Sequence, residues 1–277
     1  MSDLPEIETM RRDLDREVAG KKVKSVDVAT MSLLGRYKSR KSFTGPLEGV
    51  KFVNVERAGL NLLFHLDSGD VLVASLGKAM RPRRTTNKEK VEDGTEVTIT
   101  FTQHGQLRFI NKKGKAELYV LAADEVEDAI LALAPVGLDP VAEPLSWTRF
   151  GELLTHHDMP LKTLLNDQNV IIGIGNMYAD EILFSAGLRF DRPSSELSSQ
   201  EVRRLYRALV ETLHDAMKYR GTSLSDSDYV DVFGEAGTYQ EHLQVFQREG
   251  DLSPRSRAPI LKTKFNGSLT YYCETQV

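Results

Sequence analysis

Seven short apolar-rich segments, at 22–28, 50–55, 60–66, 71–74, 96–102, 106–110 and 117–120, fill the first half of the chain, and none is long enough for a helix. Tight turns at Asp67-Ser68-Gly69 and His104-Gly105 close neighbouring segments. Short strands in such a series bury their apolar faces against one another, as a sandwich or barrel. A helix precedes them, with Ile7, Met10, Leu14 and Val18 at three-to-four spacing over 6–19 and an end near Gly20. From Glu125 the spacing turns helical, and Pro135, Pro140 and Pro144 mark a linker. Further helices are predicted at 146–155, 160–167, 177–186 and 199–218, the last opened by Ser198 or Ser199 with Glu201 as a capping arrangement. After Gln244 short β segments return, 260–264 and 269–272, joined by Asn266-Gly267, a strong hairpin signal. The fold class is α+β: an N-terminal helix and β-sandwich over 1–135, a helical domain over 136–240 and a hairpin over 241–277. The polar loop 221–239 reads as a segment that orders on ligand binding.

A chain of 277 residues, 40% hydrophobic, supports two separate cores. It holds no run of about 18 apolar residues, and Asp3, Glu6 and Glu8 stand where an export signal would be apolar. The expected setting is the cytoplasm, in association with the nucleoid and away from membranes. A single cysteine, Cys273, excludes an intrachain disulfide and a cysteine-based zinc site.

The net charge of −4 hides segregation. Basic residues gather at 36–41, at 78–90 and at 108–115, while acidic ones collect in 117–128 and 226–235. Any one cluster reads equally as solvated surface or as a phosphate contact. Three in one region point to a basic groove between the sandwich and the helical domain.

The stretch Leu161–Gly187 reads as two helices around a turn containing Gly173, Gly175 and Asn176. Exposed backbone amides and an Asn carboxamide suit a phosphate oxygen, and glycine lets a nucleic-acid backbone approach closely. The same Gly-x-Gly-Asn also fits an ordinary helix-helix turn.

Taken with MSDLPEIET at 1–9 and GEAGTYQEHLQVFQREG at 234–250, this turn resembles the Fpg/Nei family (formamidopyrimidine-DNA glycosylase and endonuclease VIII), and motif order is similar along the whole chain. The resemblance implies a β-sandwich, a helix-two-turn-helix domain and a C-terminal β-hairpin finger. It also implies a nucleophile, the terminal amine exposed by loss of Met1, which attacks C1′ of a damaged nucleotide to give a Schiff base. Most members have proline then glutamate there; this chain has Ser2 and Asp3. A primary amine forms the same imine, and an α-amine titrates near about 7.7–8. Asp3 is one methylene shorter than glutamate, which weakens its reach as a general acid. Glu6 is the candidate second carboxylate, whereas Glu8 is explained by the helix dipole alone.

Other family positions are altered. The strand lysine is replaced by Leu60, and the wedge residues that hold open a flipped nucleotide's gap align with Lys78, Lys113, Gly114 and Lys115. Met80 is a candidate substitute wedge or a core residue. The four zinc cysteines align with Ser253, Ser256, Cys273 and Gln276, so the resemblance implies a zincless finger with no metal and no cofactor, held by packing. The hairpin arginine is Ser268, leaving Arg255, Arg257, Lys262 or Lys264 to supply charge. The helical clamp is retained in Lys162, Gly173, Gly175, Asn176 and Tyr178, although Tyr178 also fits a core.

The implied function is a monomeric damaged-DNA-binding protein of base-excision repair, a glycosylase or abasic-site lyase with Ser2 as nucleophile and Asp3 or Glu6 as acid/base. Lys162, Asn176, Lys78, Lys113 and Lys115 would hold phosphates. Two alternatives stand beside it: an inactive relative that binds abasic, nicked or bent DNA, and a binder of structured RNA.

Overall fold

The computed structural model describes residues 3–77, 80–112, 114–133, 136–142, 145–225 and 229–277. The chain divides into two compact units, one of Glu6–Ala134 with Thr222–Gly237 and one of Asp3–Pro5 with Pro135–Gly221 and Thr238–Val277.

The first unit opens with helix α1 (Leu4–Val18), which buries Ile7, Met10, Leu14 and Val18 and stops at Gly20, whose φ of +76° is left-handed. Two four-stranded antiparallel sheets follow. One has the order β1 (Val23–Val28), β6 (Thr95–Phe101), β7 (Gln106–Asn111), β5 (Met80–Thr85); the other runs β2 (Phe52–Ala58), β3 (Asn61–Leu66), β4 (Val71–Ser75), β8 (Glu117–Leu121). Rings meet between them: Phe52 lies 5.6 Å from both Phe64 and Phe101, and Phe64 lies 6.1 Å from Phe109. This is a sandwich core. The second sheet is buried on its other face too, where Leu63, Val73 and Tyr119 pack under helix α3 (Val126–Leu133). A five-residue helix, α2 (Arg40–Thr44), is capped by Ser39.

Strand β5 does not show in the sequence pattern, because it holds three arginines and Pro82. It is an edge strand, where proline's missing donor faces no partner. Segment 222–237 also departs from expectation. It docks on the sandwich rather than belonging to the helical domain: Tyr229 and Val232 lie in the sandwich core, and Arg84 N–H donates to Val232 O at 2.7 Å.

The second unit contains α4 (Trp147–His156), α5 (Leu161–Asn166), α6 (Asn176–Ala186), α7 (Ser199–Lys218) and the hairpin of β9 (Ile260–Phe265) and β10 (Ser268–Cys273). Helix α7 starts with a full capping box between Ser198 and Glu201. Hydrogen bonds from Arg192 and Ser198 hold the Glu201 carboxyl down at about 2. Among the described residues, no helix is long and apolar enough to cross a membrane.

Candidate nucleic-acid interface

The glycine turn is built from side-chain to backbone bonds. Gln168 Oε1 accepts from Gly173 N–H at 2.7 Å, and Asn166 Nδ2 donates to Ile174 O at 3.1 Å. Gly173 has φ +68°, which favours glycine. What fills the room left by its missing side chain is the start of the chain: Leu4 N–H donates to Gly173 O at 2.8 Å, and a methyl on Gly173 would come within 2.5 Å of Leu4 Cβ. Asp3 lies over Gly175, so a methyl there would overlap its carboxylate, 2.7 Å from Cγ. Asp3, Gly173, Gly175 and Asn176 therefore form one constellation at the first turn of α6.

Asn176 is half-buried, and its Nδ2 donates to Leu269 O on β10 at 2.6 Å. Its Oδ1 is buried with no hydrogen-bond partner. Lys162 corrects the sequence expectation. It is 2% exposed, and its three N–H groups go to Asp180 Oδ1 at 2.6 Å, Thr270 Oγ1 at 2.7 Å and Leu269 O at 3.0 Å, leaving none for a phosphate. Asp180 also accepts from Tyr271 N–H at 3.0 Å. Burial, only partly offset by Lys162, pushes the Asp180 carboxyl up to about 7, and burial likewise pulls Lys162 down. Tyr178 is fully buried beside the Tyr239 ring, so its role is in the core.

In the first unit, Glu6 is buried and its Oε1 accepts from Thr222 N–H at 2.9 Å, which ties α1 to the start of the 222–237 segment. Burial works to raise Glu8, but Arg11, Arg12 and Arg57 around it hold its carboxyl below the usual value. Leu60 is half-buried against the sandwich core, and Met80 is buried in that core, which removes it as a wedge. Lys115 is exposed, and its carbonyl oxygen fills the space where a Gly77 side chain would be, so the turn at 77 and the turn at 114–115 touch through backbone. Ser2, Lys78 and Lys113 lie outside the described residues.

The family model for the formamidopyrimidine-DNA glycosylase N-terminal domain matches residues 1–117, and that for the formamidopyrimidine-DNA glycosylase H2TH domain matches 136–228. A formamidopyrimidine-DNA glycosylase of Pelotomaculum thermopropionicum is 32% identical, over 99% of this chain and 98% of its own. The chain belongs to the formamidopyrimidine-DNA glycosylase family. A second relative of that name, from Moorella thermoacetica, is 34% identical over 95% of each chain. The crystal structure of Lactococcus lactis Fpg in complex with DNA containing an abasic site superposes with a TM-score of 0.84 at 26% identity, covering 99% of both chains.

The basic clusters read from the sequence need correction. Arg108 is buried and bonded to Gln106, Glu89 O and Lys90 O. Arg81 and Arg83 pair with Glu92, and Arg36 pairs with Glu117 while stacking on Tyr119. Much of the apparent positive charge is spent inside the fold. Among the described residues of these clusters, Lys38, Arg40, Lys41, Lys88, Lys90, Lys112 and Lys115 are exposed.

The finger positions implied by the family do converge, as a hydrogen-bonded knot. Ser256 Oγ lies 3.3 Å from Cys273 Sγ, Gln276 Oε1 accepts from Cys273 N–H at 2.7 Å, and Gln276 Nε2 donates to Leu188 O at 2.8 Å. Ser253 Oγ accepts from Arg255 N–H at 3.3 Å. Two hydroxyls, an amide already using both ends and one thiol do not fit a zinc ion. The hairpin is thus held by polar bonds as well as packing, a role for Gln276 that the sequence does not reveal. Prolonged chelation is expected to leave the melting temperature unchanged; a drop would mean that a structural metal is present. Arg255 is not a spare phosphate ligand either, since it caps α6 through Phe184 O and Ser185 O, and Lys262 pairs with Glu249. Arg257 and Lys264 stay exposed.

Proposed function

We propose that the protein is a DNA-repair enzyme of the formamidopyrimidine-DNA glycosylase type, acting on abasic DNA through the α-amine of Ser2. One observation carries this reading: residues 3 and 4 are fastened in the glycine turn by the Leu4–Gly173 bond and the Asp3–Gly175 contact. The abasic-site DNA bound to the L. lactis relative supports the same partner here. With Met1 removed, the amine adds to C1′ of the ring-opened sugar and the adduct loses water to give an imine. Loss of a C2′ proton then breaks the C3′–O bond, with the 3′ phosphate as leaving group. Asp3 is the acid/base in this scheme. The exposed lysines, Lys115 among them, supply backbone charge, and with lysine at the wedge positions a site needing little unstacking is the favoured substrate.

Two observations favour a second reading, a binder without chemistry. Leu60 packs half-buried against the sandwich core where the family has lysine, and Glu6 is committed to Thr222. Borohydride trapping on a duplex with one abasic site separates the two. A covalent adduct that disappears on N-terminal acetylation is expected; tight binding with no adduct would leave the binder.

A further inference from the structure

Resting on the reading of Ser2 as nucleophile, we infer that Gly173 and Gly175 are positioning residues for the catalytic N-terminus, more than a smooth surface for DNA. Both glycines face the chain's own first residues. Gly173 gives up its carbonyl to Leu4 N–H at 2.8 Å and its side-chain space to Leu4, whose N and Cα would lie 3.0 Å from an added methyl. Leu4 is fully buried, so its backbone cannot yield. Gly175 has φ −87°, open to any residue, and so is not required by conformation. The need for glycine there comes from the Asp3 carboxylate, whose Oδ1 would lie 2.6 Å from a methyl.

The two positions therefore do different things. Gly173 fixes the backbone of residue 4, and Gly175 fixes where the Asp3 side chain rests. Successive Cα atoms are about 3.8 Å apart, so the reach of the Ser2 amine is set by where residues 3 and 4 are held. The same turn leads into α6, whose N-cap is a glycine with no side chain to cap the helix, and the first-turn amides of a helix suit a phosphate oxygen. Phosphate contact and placement of nucleophile and acid then share one rigid element. Such sharing makes chemistry sensitive to a displacement that binding tolerates.

Gly175→Ala is the discriminating variant, because the atoms its added methyl meets first belong to the Asp3 side chain. The expected result is a fall of about tenfold to a hundredfold in the single-turnover rate of borohydride trapping. Affinity for a duplex carrying an uncleavable tetrahydrofuran site should change by less than about threefold, as for a lost positioning contact rather than a lost phosphate contact. In an Asp3→Ala background the same substitution should lower trapping no further. Parallel losses of affinity and trapping would assign Gly175 to DNA approach and overturn the inference, as would full trapping by the variant. Wild-type protein that never traps would instead defeat the lyase reading. Thermal unfolding of the same four proteins then still tests the seat: Gly175→Ala should lower the melting temperature when Asp3 is present and leave it unchanged in the Asp3→Ala background, and equal shifts in both backgrounds would reject it.

Discussion

Lys162→Met is expected to destabilise the protein by about 3–5 kcal/mol, the usual consequence of removing one partner of a buried pair. The substitution keeps the length of the side chain while removing the charge facing Asp180, and it leaves Thr270 Oγ1 and Leu269 O short of a donor. For a unit of this size the melting temperature should fall by on the order of 10 °C. Equilibrium urea unfolding at neutral pH measures it. A loss below about 1 kcal/mol is what an exposed pair gives, and would return Lys162 to the pool of candidate phosphate ligands. The double variant Lys162→Met/Asp180→Leu should recover part of the loss, because an apolar pair of similar volume carries no desolvation penalty.

The same pair sets a pH dependence with a definite sign. Burial raises the Asp180 carboxyl from 3.8 to about 7 in the folded protein. Between those values the native state keeps a proton that the unfolded chain has released. The stability this group contributes is therefore complete below about pH 4 and is lost as pH rises through about 7. Asp180→Asn removes that titration, so the stability profile of the variant should be flatter than wild type across this window.

The glycine turn illustrates how far the sequence reaches. That a turn stands between two helices follows from two glycines and flanking apolar periodicity. That the vacant side-chain space is taken by Leu4 and Asp3 does not, because the occupant comes from the opposite end of the chain. Lys162 is misread for a related reason. A lysine near a glycine turn that reads as a phosphate site looks like a ligand, and only the convergence of α5, α6 and β10 shows it to be interior. A signal was present in Asp180-Glu181, two acids within the otherwise apolar run of α6, since charges there need partners. Most sandwich strands were legible through their apolar content. Strand β5 was not, because its inward positions are split by Arg81 and its pairing arginines dominate its composition. The loss of zinc ligands could be read residue by residue, whereas the Gln276 bridge to Leu188 depends on a distance in space.

Glu181→Ala should be as damaging as the lysine variant, by another route. Its buried carboxylate accepts backbone N–H groups from Gln244 at 2.9 Å, Val245 at 2.9 Å and Phe246 at 2.8 Å. Burial pushes its pKa up while these three amides pull against it. Alanine leaves three donors without a partner at about 1–3 kcal/mol each, less whatever water recovers, for a loss of about 4 kcal/mol. Glu181→Gln separates geometry from charge. Its oxygen can still receive Val245 and Phe246 while its NH2 group opposes the Gln244 amide, so about a third of the effect is expected. Amide hydrogen exchange reads this directly: protection at 244–246 should collapse in the alanine variant and survive in part in the glutamine one. Unchanged protection would mean that the segment is held by the apolar contacts of Val245 with Phe184 and Ile260 alone. If protection collapses, the effect should travel to β10, because Phe246 packs on Tyr271 at 5.1 Å and Tyr271 N–H is held by Asp180. The carbonyl of Leu269 that holds Asn176 lies two residues further back, so a polar lock on α6 would govern the glycine turn at that helix's own N-terminus.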